Sequence, residues 1–255
     1  MGTRAASWSV AAALAALALL PPAAASELKV HSPTVELGEF SFEWNGLATV
    51  DREGSPNNAR RAQTFELGYA VLPFWRPEIE FERETVEGRD KWSEITFENT
   101  FQLTPTGKYF VDLGLFAAYS QSLLGDEPSA VTAGPILRKT VDLFGLDTRH
   151  TLNLFLDREI GPNSNDGVGF AGAWQSVWRA SPLFAPGFEA YSFIDDLGRA
   201  GRFNTQYHSL GPVVVGAQEF ERFGALRYEI GYQFGLSSGA PRGAVRWKLE
   251  YEIAF

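Results

Sequence analysis

The chain has 255 residues, with 31 acidic and 22 basic side chains and a formal net charge of −9; this charge argues against nucleic-acid binding, which needs a basic surface to replace the counterions of phosphates. It has no cysteine, which excludes disulfide scaffolds and cysteine-ligated metal sites. The 25 glycines, 20 phenylalanines and 7 tryptophans favour strands and turns over helices.

The first 26 residues have the pattern of a processing signal. Arg4 gives a positive start, residues 10–20 form an apolar run, and Pro21, Pro22 and several small residues follow. This order of regions is typical of a secretory signal peptide. A membrane-anchor helix is the alternative, but the apolar run is too short to span a bilayer comfortably and the prolines end it. We therefore expect residues 1–25 to be a cleaved signal peptide.

The rest of the chain alternates between apolar and polar residues with a period of two. In the last segment, every second residue from Val245 to Phe255 is apolar or aromatic, and charged residues lie between them: Arg246, Lys248, Glu250 and Glu252. On a strand the apolar residues form one stripe, whereas on a helix they would spread around the whole cylinder. Twelve segments are predicted as strands, some less regular than others: 35–50, 63–72, 77–87, 92–103, 108–120, 129–141, 148–158, 168–180, 187–196, 204–217, 225–236 and 243–255.

The connections between these segments alternate in kind. Short ones rich in proline or aromatic residues, such as 73–77 and 104–107, alternate with more polar and mostly longer ones, such as 51–62 and 159–167. An outer-membrane barrel has short periplasmic turns and longer surface loops. A soluble β-domain, the alternative, also alternates along its strands but has no reason to sort its connections. The even number of strands, and lengths near the ~9–11 residues that a tilted strand needs to cross a bilayer, also favour the membrane.

We therefore predict an all-β fold, a transmembrane antiparallel up-and-down β-barrel of about twelve strands. The barrel is predicted to span residues 35–255, and residues 26–34 are predicted to be a periplasmic N-terminal tail. With the signal peptide, this predicts export to the outer membrane of a Gram-negative bacterium. The expected partners are outer-membrane lipid and lipopolysaccharide, together with a small solute that the sequence does not identify.

The C-terminal residues carry a resemblance to a known group of proteins. The last alternating segment ends on Phe255, with Leu249, Tyr251 and Ile253 before it. This resembles the C-terminal signature of bacterial outer-membrane proteins that the barrel-assembly machinery reads. In the stretches 29–47, 95–115 and 225–251 the chain also resembles proteobacterial exported barrel proteins of uncharacterised function. The resemblance implies an outer-membrane barrel, with the barrel-assembly machinery as a partner and Tyr251, Ile253 and Phe255 as its assembly signal. It implies no catalytic motif and no cargo.

The polar stripe is expected to face the lumen if the apolar stripe faces lipid. The expected lumen-lining residues are Glu78, Glu80, Glu82, Glu84, Glu94, Glu98, Asp112, Asp157, Arg179, Arg227, Glu229, Arg246, Lys248 and Glu250. An acidic wall around water would attract cations. The alternative is a packed interior of glutamate–arginine pairs, because twelve strands lie between the small barrels that side chains fill and the wide porins that stay open. We favour a partly filled lumen that contains water.

Catalytic and metal-binding patterns are weak in this sequence. His208 and Ser209 are adjacent, so on a strand they point to opposite faces. Asp195, Asp196 and the loop 163–166 lack the spacing of a calcium loop. We therefore predict no enzyme, no metal site and no cofactor. The predicted function is passive passage or binding of small solutes with a preference for cations; a non-conducting structural or surface-interaction barrel and, less favoured, a lipid-active enzyme are the alternatives.

The location and the terminal signature can be tested together. The mature protein is expected to fractionate with outer membranes and to show heat-modifiable gel mobility. Replacing Phe255 by Ala should lower barrel yield and raise periplasmic degradation. Recovery of the wild type in the soluble periplasm would contradict the location, and an unchanged yield of Phe255→Ala would show that the terminal signature is coincidental.

Overall fold

A closed barrel of twelve strands forms most of the chain. The computed structural model describes residues 28–53, 55, 58–86, 89–125, 127–221 and 223–254; the predicted signal peptide and Phe255 lie outside them. The strands are β1 Glu39–Val50, β2 Arg61–Tyr69, β3 Trp75–Val86, β4 Arg89–Gln102, β5 Asp112–Ser122, β6 Ser129–Leu143, β7 Leu146–Ile160, β8 Gly169–Trp178, β9 Ala185–Ile194, β10 Tyr207–Phe220, β11 Gly224–Gly235 and β12 Gly243–Ala254.

Every strand pairs antiparallel with its neighbours in the chain, and β1 pairs with β12 to close the sheet. The closing register runs from Glu39 opposite Ala254 to Val50 opposite Gly243, so every strand has a hydrogen-bonding partner on both sides. This confirms the predicted antiparallel up-and-down barrel of twelve strands. None of the described residues forms a helix long and apolar enough to cross a bilayer.

The barrel has its polar side chains inside and its apolar side chains outside. Strand β3 shows the pattern, because Glu78, Glu80 and Glu82 are buried while Ile79 and Phe81 between them are partly exposed. On β11, Gln233 is 1% exposed, whereas large apolar side chains beside it on the outer face are exposed: Ile230, Tyr232 and Phe234. A water-soluble barrel would expose the polar set. The observed distribution is the one expected of a barrel that crosses a membrane.

Most strand ends lie within three residues of their predicted positions, and the starts of β1 and β5 differ by four. The first strand begins at Glu39 rather than residue 35, since residues 35–38 continue the preceding segment and turn at Gly38, whose φ of 79° suits glycine. The connection after β4 spans 103–111 rather than 104–107, because Asp112 accepts a hydrogen bond from the Gly107 N–H at 2.6 Å. Because that turn is long and only 87–88 separate β3 from β4, the alternation of short and long connections is general but not strict.

The outer face of the barrel can be tested by placing a charge on it. Leu154 lies on the outward face of β7, between the inward residues Asn153 and Phe155. Leu154→Arg should lower the free energy of unfolding in lipid by ~2–4 kcal/mol if it lies near the bilayer midplane. Thr132→Arg is the matched control, because Thr132 faces the lumen opposite Asp157, and it should be tolerated much better in denaturant titrations. Equal losses in the two variants would contradict the facing assignment.

Candidate functional site

The segment before β1 lies inside the barrel. Leu28 packs in a cluster with Phe193 and Tyr207 on the lumenal wall. The amide side chain of Asn153 on β7 clamps the His31 backbone, accepting from its N–H at 2.7 Å and donating to its carbonyl at 3.0 Å. Val35 N–H donates to Gln102 at the end of β4, at 2.8 Å. We call residues 28–38 the lumenal segment. Residues 26–34 were predicted to be a periplasmic tail, and the described part of that range lies within the lumen instead.

Lys29 is the main charged residue of the lumenal segment. Its ammonium donates a hydrogen bond to Glu66, lies 3.2 Å from the Glu43 carboxylate, and is 3.9 and 3.7 Å from two further carboxylates, those of Glu80 and Glu98. Oxygens of Glu66, Glu80 and Glu98 lie within 4.8 Å of one another. The Lys29 side chain is only 6% exposed. One ammonium thus lies among four carboxylates from β1, β2, β3 and β4, which we call the carboxylate cluster.

Further ion pairs continue along the wall. Lys248 on β12 lies 2.5 Å from Glu43 and 3.1 Å from Glu250, so Glu43 contacts two ammonium groups. Arg246 donates to Glu229 at 2.7 Å and makes a two-point contact with Glu189. Two-point contacts fix the geometry of an arginine–carboxylate pair. The interior is therefore held by charged contacts where a soluble domain has an apolar core.

His31 lies at the same level as Lys29 and contacts aromatic side chains on β5 and β7. Its ring is 4.4 Å from Phe116 and 5.5 Å from Phe155, measured between centroids, and the two phenylalanines stack at 4.7 Å. These rings are among the few large apolar groups that face inward. Lys29 is directed toward the carboxylate cluster, and His31 contacts the aromatic pair and lies 4.0 Å from Glu98. The lumenal segment thus contacts strands from β1 to β7.

Two cavities lie above and below this level, and both are lined in part by Lys29 and His31. The first, of about 340 Å³, reaches Arg60, Glu127 and Glu159 near the polar loops, and we call it the loop-side cavity. The second, of about 510 Å³, reaches Ser181 and other residues of the short turns, and we call it the turn-side cavity. The lumenal segment separates them.

The two cavities differ in charge. Among the described residues that line the loop-side cavity, eight are acidic and only Lys29 and Arg60 are basic. The described residues that line the turn-side cavity include eight acidic and seven basic ones. Burial raises the pKa of Glu127, a loop residue of the loop-side cavity, and the nearby Glu84 carboxylate raises it further. Glu127 therefore takes up a proton at a higher pH than an exposed glutamate does. As the pH falls, the loop-side cavity loses this negative charge.

The residues predicted to line the lumen are distributed between these regions. Those in the loop-side cavity are Glu80, Glu82, Glu84, Glu94, Glu98 and Asp157. Those in the turn-side cavity are Glu78, Arg179, Arg227, Glu229, Lys248 and Glu250. Arg246 is buried within the wall, Arg179 is largely exposed at the rim, and Asp112 is buried beside the turn that contains Gly107. Of the predicted assembly signal, Tyr251 and Ile253 are partly exposed on β12.

Several lumenal residues did not emerge from the sequence pattern. Lys29 and His31 precede the first strand, Arg60 is in a loop, and Arg76 lies next to a proline at the start of β3. Lys29, His31 and Arg60 lie outside the strands, so a period of two gives no signal for them, whereas Arg76 shares the inward face of β3 with Glu78 but precedes the predicted start of that strand. Asn153 faces inward as the alternation predicted, but its role in clamping the lumenal segment depends on a residue 122 positions away.

Hydroxyl and imidazole groups meet on the outer surface rather than in the lumen. His150 on β7 contacts Ser176 at 2.9 Å and Thr148 at 3.2 Å, and Thr148 donates to the Val141 carbonyl at 3.0 Å. These contacts satisfy polar groups on the bilayer-facing side. His208 instead stacks on Phe203 with ring centroids 3.9 Å apart. The predicted absence of an enzymatic function stays a prediction.

Comparisons with known proteins give no family and only weak structural likenesses. No family model and no curated protein matches the chain. The translocator domain of the autotransporter NalP from Neisseria meningitidis is 13% identical with a TM-score of 0.47, and the match covers 98% of each chain. The transport unit of the autotransporter AIDA-I from Escherichia coli is 10% identical at 0.39, also over 98% of each. A bacterial polysaccharide outer membrane secretin is 8% identical at 0.41, over 88% of this chain and 100% of that one. Likenesses this weak carry no argument about function.

The carboxylate cluster predicts the effect of removing its ammonium. Lys29→Met keeps most of the side-chain volume but leaves buried carboxylates without this counter-charge, a change that costs about 3–5 kcal/mol in comparable buried pairs. The free energy of unfolding should fall by an amount of this order, and limited proteolysis should cleave the lumenal segment faster. Lys91→Met is the control, because Lys91 is exposed near the start of β4. A Lys29→Met protein as stable and as protease-resistant as the control would contradict the role given to Lys29.

Proposed function

We propose that the chain is an outer-membrane barrel that binds small solutes and passes them with a preference for cations, and that its lumenal segment closes the passage at the level of Lys29. The inside-out distribution of side chains supports the membrane location. The processing signal and the C-terminal alternation support export and assembly. Outer-membrane lipid and lipopolysaccharide would contact the exposed apolar bands, and the assembly machinery would contact β12.

The observation that carries the cation preference is the charge of the loop-side cavity. Its eight acidic and two basic lining residues surround a space of about 340 Å³, large enough for several water molecules. Low-dielectric walls of one sign of charge concentrate ions of the opposite sign. A cation that enters from the loop side therefore meets an attractive potential before it reaches the carboxylate cluster.

The closure is supported by the contacts of the lumenal segment. Asn153 clamps the His31 backbone, Gln102 binds the Val35 N–H, and Lys29 is surrounded by carboxylates. These contacts come from strands on different sides of the barrel, so the segment crosses the lumen between the two cavities. Passage of anything larger than water would require this segment to move, which makes it a gate in the proposed function.

A non-conducting structural barrel is the second candidate, and one observation favours it. Besides the contacts of Lys29, ion pairs within the wall connect strands that are not neighbours, as Arg246 on β12 does with Glu189 on β9. In that case the interior is a packed network that serves stability. We propose no catalytic function, since the lumenal groups form ion pairs and the His150 cluster satisfies its own hydrogen bonds.

Conductance of a variant without residues 28–34 separates the two candidates. Wild-type protein in planar bilayers should show small or rare openings, and the deletion variant should show steady current with reversal potentials that favour cations. The preference should be stronger at low salt, because the Debye length is ~10 Å at 0.1 M and grows on dilution. Heat-modifiable gel mobility serves as the check that the variant has assembled.

The acidic wall is tested in the same deletion background. Glu80→Gln with Glu82→Gln should weaken the cation preference, because both residues line the loop-side cavity. Glu53→Gln, on an exposed loop residue, should leave the reversal potential unchanged. An assembled deletion variant that passes no current would end the transport proposal and leave the structural candidate.

A further inference from the structure

Two arginines lie next to each other on the inner face of β6 and β7. Arg138 is opposite Thr151, and Arg149 is opposite Thr140, so the two arginines are diagonal neighbours with Cα atoms about 7–8 Å apart. Both are mostly buried and both line the turn-side cavity. Two arginine side chains thus lie side by side on one wall of the turn-side cavity.

These two arginines differ from the others that line the cavities. Each of the others lies within 4.0 Å of a carboxylate: Arg60 with Glu84, Arg76 with Glu78, Arg179 with Asp147 and Arg227 with Glu252. Among the residues that the structure describes, no carboxylate lies within 4.0 Å of Arg138 or Arg149. In a lumen rich in acids, this pair is an exception that calls for a physical reason.

Two acids that face these arginines are engaged elsewhere. Asp112 is opposite Arg138 in the β5–β6 register, but its carboxylate accepts the Gly107 N–H at 2.6 Å. Glu229 lies on the far wall and is bonded to Arg246 at 2.7 Å.

The donors of the two arginines are only partly used by neutral groups. Arg138 donates to the hydroxyl of Thr34 at 2.8 Å and to that of Ser32, both in the lumenal segment. The Nε atoms of Arg138 and Arg149 are buried without a hydrogen-bond partner.

Two adjacent like charges in a partly buried site repel each other, and the repulsion is relieved when an anion lies between them. Guanidinium groups present planar forks of N–H donors that match the oxygens of carboxylates and phosphates. The turn-side cavity, of about 510 Å³, offers room for such a group in front of both side chains.

We propose that the turn-side cavity binds a small oxyanion, a carboxylate or a phosphate, between Arg138 and Arg149. The opposite wall carries Glu39, Glu78 and Glu250, which limits the net negative charge that the cavity accepts and selects small ligands. Because the site lies inside the barrel, it takes a soluble anion rather than a lipid headgroup. Binding of an anion at this site does not depend on conduction through the barrel.

The test uses the mature protein in a detergent without a phosphate headgroup. Inorganic phosphate and acetate are titrated by calorimetry against chloride at equal ionic strength. We expect saturable binding of phosphate, of acetate or of both, with a Kd that rises at least tenfold in Arg149→Gln and less in Arg149→Lys. Arg83→Gln is the control, because Arg83 pairs with Asp90 on the exposed end of β3, and it should bind like the wild type.

A second measurement separates a binding role from a purely structural one. In anion-free buffer, Arg149→Gln should melt at the wild-type temperature or above, because the substitution removes repulsion from Arg138. Phosphate or acetate should then raise the melting temperature of the wild type but not of Arg149→Gln. Equal binding in wild type and Arg149→Gln, binding of neither anion to the wild type, or a clear loss of stability of Arg149→Gln in anion-free buffer would each overturn the proposal.

Discussion

The lumen of this barrel is organised around the contact between the Lys29 ammonium and the carboxylates of Glu43, Glu66, Glu80 and Glu98. These carboxylates come from four strands and are almost fully buried, so the ammonium between them offsets their mutual repulsion. The ammonium reaches that point because backbone contacts at His31 and Val35 fix the lumenal segment. The wall and the segment thus depend on each other: the segment supplies the charge, and the wall supplies the position.

The lipid around the barrel explains why its interior is polar. Lipid outside a barrel removes the hydrophobic gain from burying apolar side chains inside, so the apolar residues face outward and the lumen takes the polar ones. The shape of the barrel is then set by the closed ladder of strand hydrogen bonds. Hydrogen-bonded ion pairs, such as Arg246 with Glu189, fill part of the lumen. A change to one member of a lumenal charge pair is therefore expected to affect several strands at once.

The sequence predicts the barrel well because strand facing is a local property. A period of two assigns Glu78, Glu80 and Glu82 to the lumen without knowledge of any distant residue, and the burial of all three agrees. Placing residues 28–38 requires long-range information: no local pattern shows that a segment before the first strand turns back into the barrel, or that its partner is Asn153, 122 residues from His31. The long turn at 103–111 was missed for a similar reason, because the apolar residues 109–111 continue the alternation of β5 without joining its ladder.

The position of Lys29 links closure to the ions that the barrel is proposed to pass. A cation drawn into the loop-side cavity by its acidic wall reaches the carboxylate cluster from one side while Lys29 already lies within it. Two like charges at one cluster repel, so the incoming cation lowers the energy needed to withdraw the lysine. After Lys29 has moved away, the cation still compensates the charge of the carboxylates. In this scheme Lys29 closes the passage, the acidic wall discriminates by charge, and cation entry itself favours opening. An anion arriving from the turn side meets Arg138 instead, which also holds Ser32 and Thr34 of the lumenal segment, so the two ends of the lumen act on one gate through opposite charges.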